Sequence, residues 1–246
     1  MSDFTGRTAI VTGAASGIGA ATARLLRERG ALVRGLDLNG NGDDITALDV
    51  ADMAAVTDAI DTIAARDGLD ILVNCAGTGR LHTIYDVTLQ DWQAVLDVNL
   101  GGTFAACRAA SAHMVRAGRG AIINIGSTFG LLARENGLAY GVSKAAVIHL
   151  TRQMAVDLTD SGVRVNCVCP GLVETGMTSV MYTEEWAATL RANNALHAMR
   201  RSGAPQEIAE AVVFLASDAA SFITGAALPV DGGYTAGKWV TPPLGA

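Results

Sequence analysis

Tyr140 and Lys144 stand four positions apart in an alanine-rich stretch, and Ser127 lies thirteen residues before the tyrosine. On a helix, residues four apart share a face, so the phenol and the ammonium would sit together. A tyrosine with a pKa of about 10 is a poor base at neutral pH, and a neighbouring cation lowers that pKa by stabilising the phenolate. A serine hydroxyl at the carboxyl end of a strand can orient a substrate oxygen. Together the three groups suit removal of an alcohol proton while the carbinol hydrogen leaves as hydride. Taken alone, the Tyr140–Lys144 spacing fits a solvated helix-surface pair at least as well.

A second cluster suits phosphate. Thr12 to Gly19 reads TGAASGIG between a strand-like run and a helical one. Gly13 can adopt a backbone shape closed to other residues, Gly17 lets the chain approach a pyrophosphate, and Gly19 permits close packing of helix on sheet. The free N–H groups of the helix start then face the phosphates. A merely structural turn is the alternative, and the strand and helix flanks favour a nucleotide. Asp37, 18 residues beyond Gly19, can accept both ribose hydroxyls of an adenosine, whereas a 2′-phosphate would face it unscreened. Leu38, Ala15 and Ser16 add no positive charge. NAD is therefore the expected cofactor.

These residues need a scaffold, and the chain supplies one. Short β-branched runs alternate with longer alanine-rich stretches over 246 residues, as in an α/β fold with a parallel sheet covered on both faces. Seven strands are expected near 8–11, 31–36, 45–48, 69–73, 121–125, 163–168 and 226–229. Long helices are expected over 89–112 and 140–160. Only DLNGNGDD separates the second and third strands, which is short for a parallel crossover helix. Either the third strand is displaced to the sheet edge behind a loop, or it is not a regular parallel strand.

Composition narrows the partners. Half the residues are apolar, with 28 Gly and 5 Pro, which excludes a disordered or collagen-like chain. A formal charge of −6 without a basic cluster argues against nucleic acid. Cys75, Cys107, Cys167 and Cys169 have no zinc-ligand spacing and read as small buried hydrophobes in a reducing compartment, so no metal is expected. The start, MSDFTGRTAIVTG, lacks a signal-peptide pattern and no 18-residue apolar run follows; a cytoplasmic protein without membrane association is expected.

The combination of TGAASGIG at 12–19, NCAG at 74–77, Asn99, Ser127, Tyr140-Gly-Val-Ser-Lys144 and Pro170-Gly171 resembles the short-chain dehydrogenase/reductase family over essentially the whole chain. The resemblance implies a single domain, 1–246, with a Rossmann-type, doubly wound seven-stranded parallel sheet. It implies hydride transfer with a nicotinamide cofactor, and usually a homotetramer. It implies a catalytic set of Asn99, Ser127, Tyr140 and Lys144, with Asn99 holding a water that links Lys144 to solvent. Gly13, Ser16, Gly17, Ile18, Gly19, Asp37 and Leu38 would then bind the cofactor, with Lys144 and Tyr140 at its ribose. Asp49 and Val50 resemble an adenine-contacting pair, Asn74, Ala76 and Gly77 the segment beside the cofactor, and Pro170, Gly171, Val173 and Thr175 the loop around the carboxamide. Arg201, Gly203 and Pro205 match a structural turn. Cys75 and Gly126 depart from the family pattern, replacing an asparagine and a serine.

The expected reaction interconverts a small secondary alcohol and its ketone, with sugars, polyols and cyclic diols all open. The alternative is a non-catalytic NAD-responsive binding protein. The four-residue Tyr140–Lys144 spacing disfavours an enoyl reductase. A variable lid is expected at about 177–199, offering Met177, Val180, Met181, Tyr182, Trp186 and Leu190 either to the substrate or to its own packing. Arg134, Glu135 and Asn136 are candidate polar contacts, while His82 and His149 read as solvent or packing residues. Ala105, Ala106, Ala109, Val147 and Leu150 are expected on a helical face shared between subunits, and Lys238–Ala246 near a neighbouring subunit.

Overall fold

Seven apolar runs form seven strands, all parallel, in the order β3-β2-β1-β4-β5-β6-β7. The strands are β1 (Thr8–Thr12), β2 (Leu32–Asp37), β3 (Ile45–Ala47), β4 (Ile71–Asn74), β5 (Gly120–Ile125), β6 (Val163–Pro170) and β7 (Ala227–Val230). The computed structural model describes residues 4–40 and 44–237, and the expectation for Lys238–Ala246 falls outside them.

Alternate residues of each central strand feed two separate cores, as the period of two requires. Ala9, Val11, Ile71, Val73 and Ile123 face α1 (Gly17–Glu28) and α8 (Pro205–Ala216), meeting Leu26, Ile208 and Val212. Ile10, Leu72 and Ile122 face the opposite layer, meeting Val56 and Ile60 of α2 (Met53–Asp67) and Met114 of α4 (Thr103–Ala117). The short connection after β2 has the first of its two expected outcomes: β3 is a three-residue edge strand pairing Gly35 with Ile45 in parallel register.

The long stretch expected over 89–112 is not one regular helix. α3 (Leu89–Leu96) passes through a π turn (Asp97–Gly102) into α4, which ends at Gly118 in left-handed geometry, φ 68°. The π turn reads DVNLGG, and its buried positions are Asn99 and Gly102, so apolar spacing does not report the extra residue. α5 (Thr128–Leu131) is one turn, and α6 (Leu138–Asp157) starts two residues before Tyr140. The region 177–199 folds as two 3₁₀ segments, Gly176–Tyr182 and Glu184–Trp186, followed by α7 (Ala187–Ala195).

One expectation needs correction. Ala105, Ala106 and Ala109 are buried within the subunit, packed between helix and sheet, and Val147 is buried too, so of the five expected residues only Leu150, half-buried, reaches the surface. The outward large apolar side chains of α4 and α6 are Phe104, Val115, Val142 and Val156. The turn at 201–205 is structural, as expected: Arg201 makes a two-pronged bond to Glu207 at 2.6 and 2.7 Å, and Pro205 opens α8.

At the amino-terminal edge of the sheet, Asp67 accepts hydrogen bonds from Arg66 and from Arg34 Nε at 2.9 Å, and these hold its carboxyl at about 2. A carboxyl depressed in the folded state stabilises the fold above the unfolded pKa of about 3.9 and loses that contribution as pH falls toward 2. Asp67→Asn should therefore shrink the difference in melting temperature between pH 7 and pH 3; an unchanged difference would count against this assignment.

Candidate active site

In the strand order, β1 lies between β2 and β4, so the chain's connections depart in opposite directions on its two sides. Open α/β sheets hold ligands at the carboxyl ends of strands at such a point. A cleft of about 550 Å³ lies there. It gathers Gly13, Ser16, Gly17, Ile18 and Gly19 after β1, Asp37 and Leu38 after β2, Asp49 and Val50 after β3, and Ala76 and Gly77 after β4. Ser127, Tyr140 and Lys144 form another wall, and Pro170, Gly171, Val173 and Thr175 after β6 close it. Eighteen positions spread over 160 residues thus reach one hollow.

The glycine turn has physical reasons for its glycines. Gly13 has φ 67°, and a Cβ there would meet the Ala76 backbone nitrogen at 2.8 Å. A Cβ on Gly19 would lie 2.0 Å from the Gly13 carbonyl oxygen, which no side chain tolerates. Asp37 is fixed at the turn: its carboxylate accepts the Ala15 N–H at 3.0 Å and the Asn39 N–H at 2.9 Å. Each oxygen keeps lone pairs free to accept further hydroxyls. A backbone cradle plus an anchored carboxylate fits a dinucleotide's pyrophosphate and ribose.

Lys144 is 5% exposed, and its ammonium donates to the Ile125 carbonyl at 2.8 Å. Burial pushes its pKa down. Burial pushes the pKa of the Tyr140 phenol up, and the neighbouring Ser127 side chain opposes that push. The expected depression by Lys144 is not what this geometry produces, because the ammonium is turned to Ile125 and lies 5.8 Å from the phenol ring centre. Ser127 Oγ also accepts the Phe129 N–H at 3.1 Å, and Phe129 packs edge-on to Tyr140.

Asn99 and Asn74 do not line the cleft. Asn99 sits fully buried in the π turn: its Oδ1 accepts the Thr78 N–H at 2.8 Å, and its Nδ2 donates to the Thr78 carbonyl and to Ser143 Oγ, both at 3.0 Å. Ser143 in turn donates to the Tyr140 carbonyl at 2.7 Å. The Asn99 amide therefore ties the segment following β4 to the helix bearing Tyr140. Asn74 turns inward, donating to Asn124 Oδ1 at 2.8 Å within a buried cluster that includes Thr151.

Ser143 and His197 escape a reading by sequence spacing. Ser143 carries a common residue type inside a helix, and His197 lies beyond any motif in the lid. Arg134 leaves the cleft too; it lies 5.3 Å from the centre of the Phe129 ring and donates to Asn193 of α7. With Glu135 and Asn136 it borders a neighbouring hollow. His82 and His149 are absent from the cleft lining, and of the named lid residues Met177 alone reaches it.

The family model described as Enoyl-(Acyl carrier protein) reductase matches residues 13–235. The cis-4-hydroxycyclohexanecarboxylate dehydrogenase of Sinomonas cyclohexanicum is 42% identical over 95% of this chain and 98% of its own. The chain belongs to the short-chain dehydrogenase/reductase family. The D-threitol dehydrogenase of Mycolicibacterium smegmatis is 41% identical, covering 94% of this chain and 93% of its own. The ligand-free aldohexose dehydrogenase of Thermoplasma acidophilum superposes with a TM-score of 0.92 at 35% identity, covering 98% and 99% of the two chains. Like other short-chain dehydrogenases/reductases, the chain is an oxidoreductase that works with a nicotinamide cofactor. Among the described residues, no helix is long and apolar enough to cross a membrane.

Gly19→Ala tests the cradle. Overpacking against the Gly13 carbonyl should cost about 1–3 kcal/mol of stability and weaken dinucleotide binding. A variant with an unchanged thermal melt and unchanged affinity would show that the turn has slack the packing denies.

Proposed function

We propose that this chain is an NAD-dependent dehydrogenase that interconverts a secondary alcohol and its ketone. The observation that carries the reading is the convergence of Ser127, Tyr140 and Lys144 with the glycine cradle and Asp37 on one cleft. A bound nicotinamide supplies the hydride acceptor in oxidation and the donor in reduction. The chain's own residues handle the proton and the oxygen. Ser127 presents its hydroxyl beside the phenol, so an oxygen received there is oriented toward Tyr140. Tyr140 takes the alcohol proton at its phenol oxygen in oxidation and returns it in reduction. The Lys144 ammonium, held by the Ile125 carbonyl 5.8 Å from the phenol ring centre, would meet the ribose hydroxyls of the cofactor. A binding protein without turnover has no use for this set.

The choice of NAD over NADP is supported by Asp37 and by the surroundings. The two cations of the cleft lining are engaged elsewhere: Arg80 donates to Asp91 at 2.6 Å and Lys144 to the Ile125 carbonyl at 2.8 Å. Leu38 brings no charge, and a 2′-phosphate beside Asp37 would lose hydration without gaining a partner. The relatives named above act on a hydroxylated ring acid, a polyol and an aldohexose, and we read this chain's substrate as a hydroxylated molecule of that size. The Tyr140–Lys144 spacing argues against taking the enoyl-reductase description literally. Free cysteines are in keeping with a cytoplasmic location, and the outward Phe104, Val142 and Val156 with a homotetramer of single-domain subunits.

A panel of sugars, polyols, cyclic diols and hydroxy acids assayed for NAD reduction at 340 nm tests the reading. On the best substrate, Tyr140→Phe should lower kcat by about 100-fold or more while NAD still binds. Near wild-type turnover would remove Tyr140 from the chemistry. NAD should exceed NADP in kcat/KM by about 100-fold, and Asp37→Ala with Leu38→Arg should narrow or reverse the ratio. Equal rates with the two cofactors in the unaltered enzyme would overturn the assignment to Asp37.

A further inference from the structure

His197 is 3% exposed, lies outside the cleft lining and takes no part in the chemistry above. Its two ring nitrogens are nevertheless both engaged. Nδ1 lies 2.9 Å from the Asn193 carbonyl oxygen, which only accepts, so this nitrogen carries the proton. Nε2 accepts the backbone N–H of Leu172 at 3.3 Å, so it carries none. The two contacts specify one neutral tautomer.

Leu172 lies between Gly171 and Val173, both on the cleft wall. Gly171 leaves room for the imidazole: a Cβ there would come within 2.9 Å of Nε2. The ring is also backed by Tyr234, with centroids 5.2 Å apart, and Gly232 accepts the Met199 N–H. A buried ring is thus clamped between the end of α7 and the turn after β7, with its one free acceptor aimed at the backbone of the cleft wall.

We propose that His197 is a positioning residue that fixes the Gly171–Val173 wall against the nicotinamide half of the cofactor. The proposal rests on the reading of that wall as the one beside the nicotinamide. Without the ring's acceptor, the N–H of half-buried Leu172 is left without this partner, and the wall relaxes to satisfy it. The glycine cradle and Asp37, on the other side of β1, are untouched by the change.

Two ligands separate these effects in calorimetric titrations of the full chain: NAD, and ADP-ribose, which lacks the nicotinamide. His197→Leu keeps an apolar side chain of similar bulk and removes both hydrogen bonds. It should weaken NAD by about tenfold and ADP-ribose by less than about twofold. His197→Gln, whose carboxamide can accept from Leu172 and donate to Asn193, should restore most of the loss. Equal weakening of both ligands, no weakening of NAD, or a glutamine variant no better than leucine would overturn the proposal. A wild-type chain that binds ADP-ribose but not NAD would instead overturn the assignment of the wall to the nicotinamide. Independently of any variant's folding, long-range ¹H–¹⁵N spectra of the wild-type protein should show His197 protonated at Nδ1. Protonation at Nε2 would mean that the Leu172 bond does not exist.

Discussion

The Lys144 ammonium is carried into the interior and meets there a neutral carbonyl, that of Ile125, at 2.8 Å. The side chains around it include the thiols of Cys75, Cys167 and Cys169. A cation in such a place has lost most of its hydration, and only a rigid surround offsets that cost. The surround is visible in two glycines. A Cβ on Gly126 would meet Cys167 Sγ at 2.8 Å and Cys169 Sγ at 3.0 Å, so the glycine at 126 and the two thiols of β6 belong to one packing solution. A Cβ on Gly130 would meet the Lys144 carbonyl carbon at 2.7 Å, so the turn after Ser127 lies directly on the catalytic helix. Ile125, Ser127 and Lys144 are thereby held as one body at the end of β5.

The π turn extends the same constraint across the sheet. Its wider winding leaves Asn99 with a side chain directed at Thr78 and Ser143, while Thr103 Oγ donates to the Asn99 carbonyl at 2.8 Å. Gly102 of the same turn lies against Val50, where a Cβ would be 2.7 Å from the Val50 carbonyl oxygen. A single irregular turn therefore touches the segments after β3 and β4 and the helix bearing Tyr140. A regular helix would rotate one of those contacts away by about 100°.

Much of this was legible from residue type and spacing. The glycine turn, Asp37 and the Ser127–Tyr140–Lys144 spacing each carry a local physical requirement, and their convergence follows from the strand order that βαβ units impose. What was hidden depends on direction and not on type. Asn74 sits in a motif beside the cleft yet points into the core, because neighbouring strand residues alternate sides and Cys75 has the outward place. Ala105 and Val147 read as surplus apolar surface, but small residues there let the helices lie close on the sheet. The π turn leaves no mark in an apolar pattern, and His197 acts through a main-chain amide that no side-chain motif reports.

The pairing of α1 with α8 has a consequence for how the chain comes into being. Leu25 and Leu26, near its start, share a core with Ile208, Val212 and Leu215 from its last fifth. During synthesis, β1, β2, β4 and β5 emerge long before the helix that covers their common face. A nascent chain of roughly 200 residues thus holds a nearly complete sheet with part of one side bare, the kind of exposed apolar surface that invites association with other chains. α8 acts as the cover, and its arrival turns a sticky intermediate into a closed one.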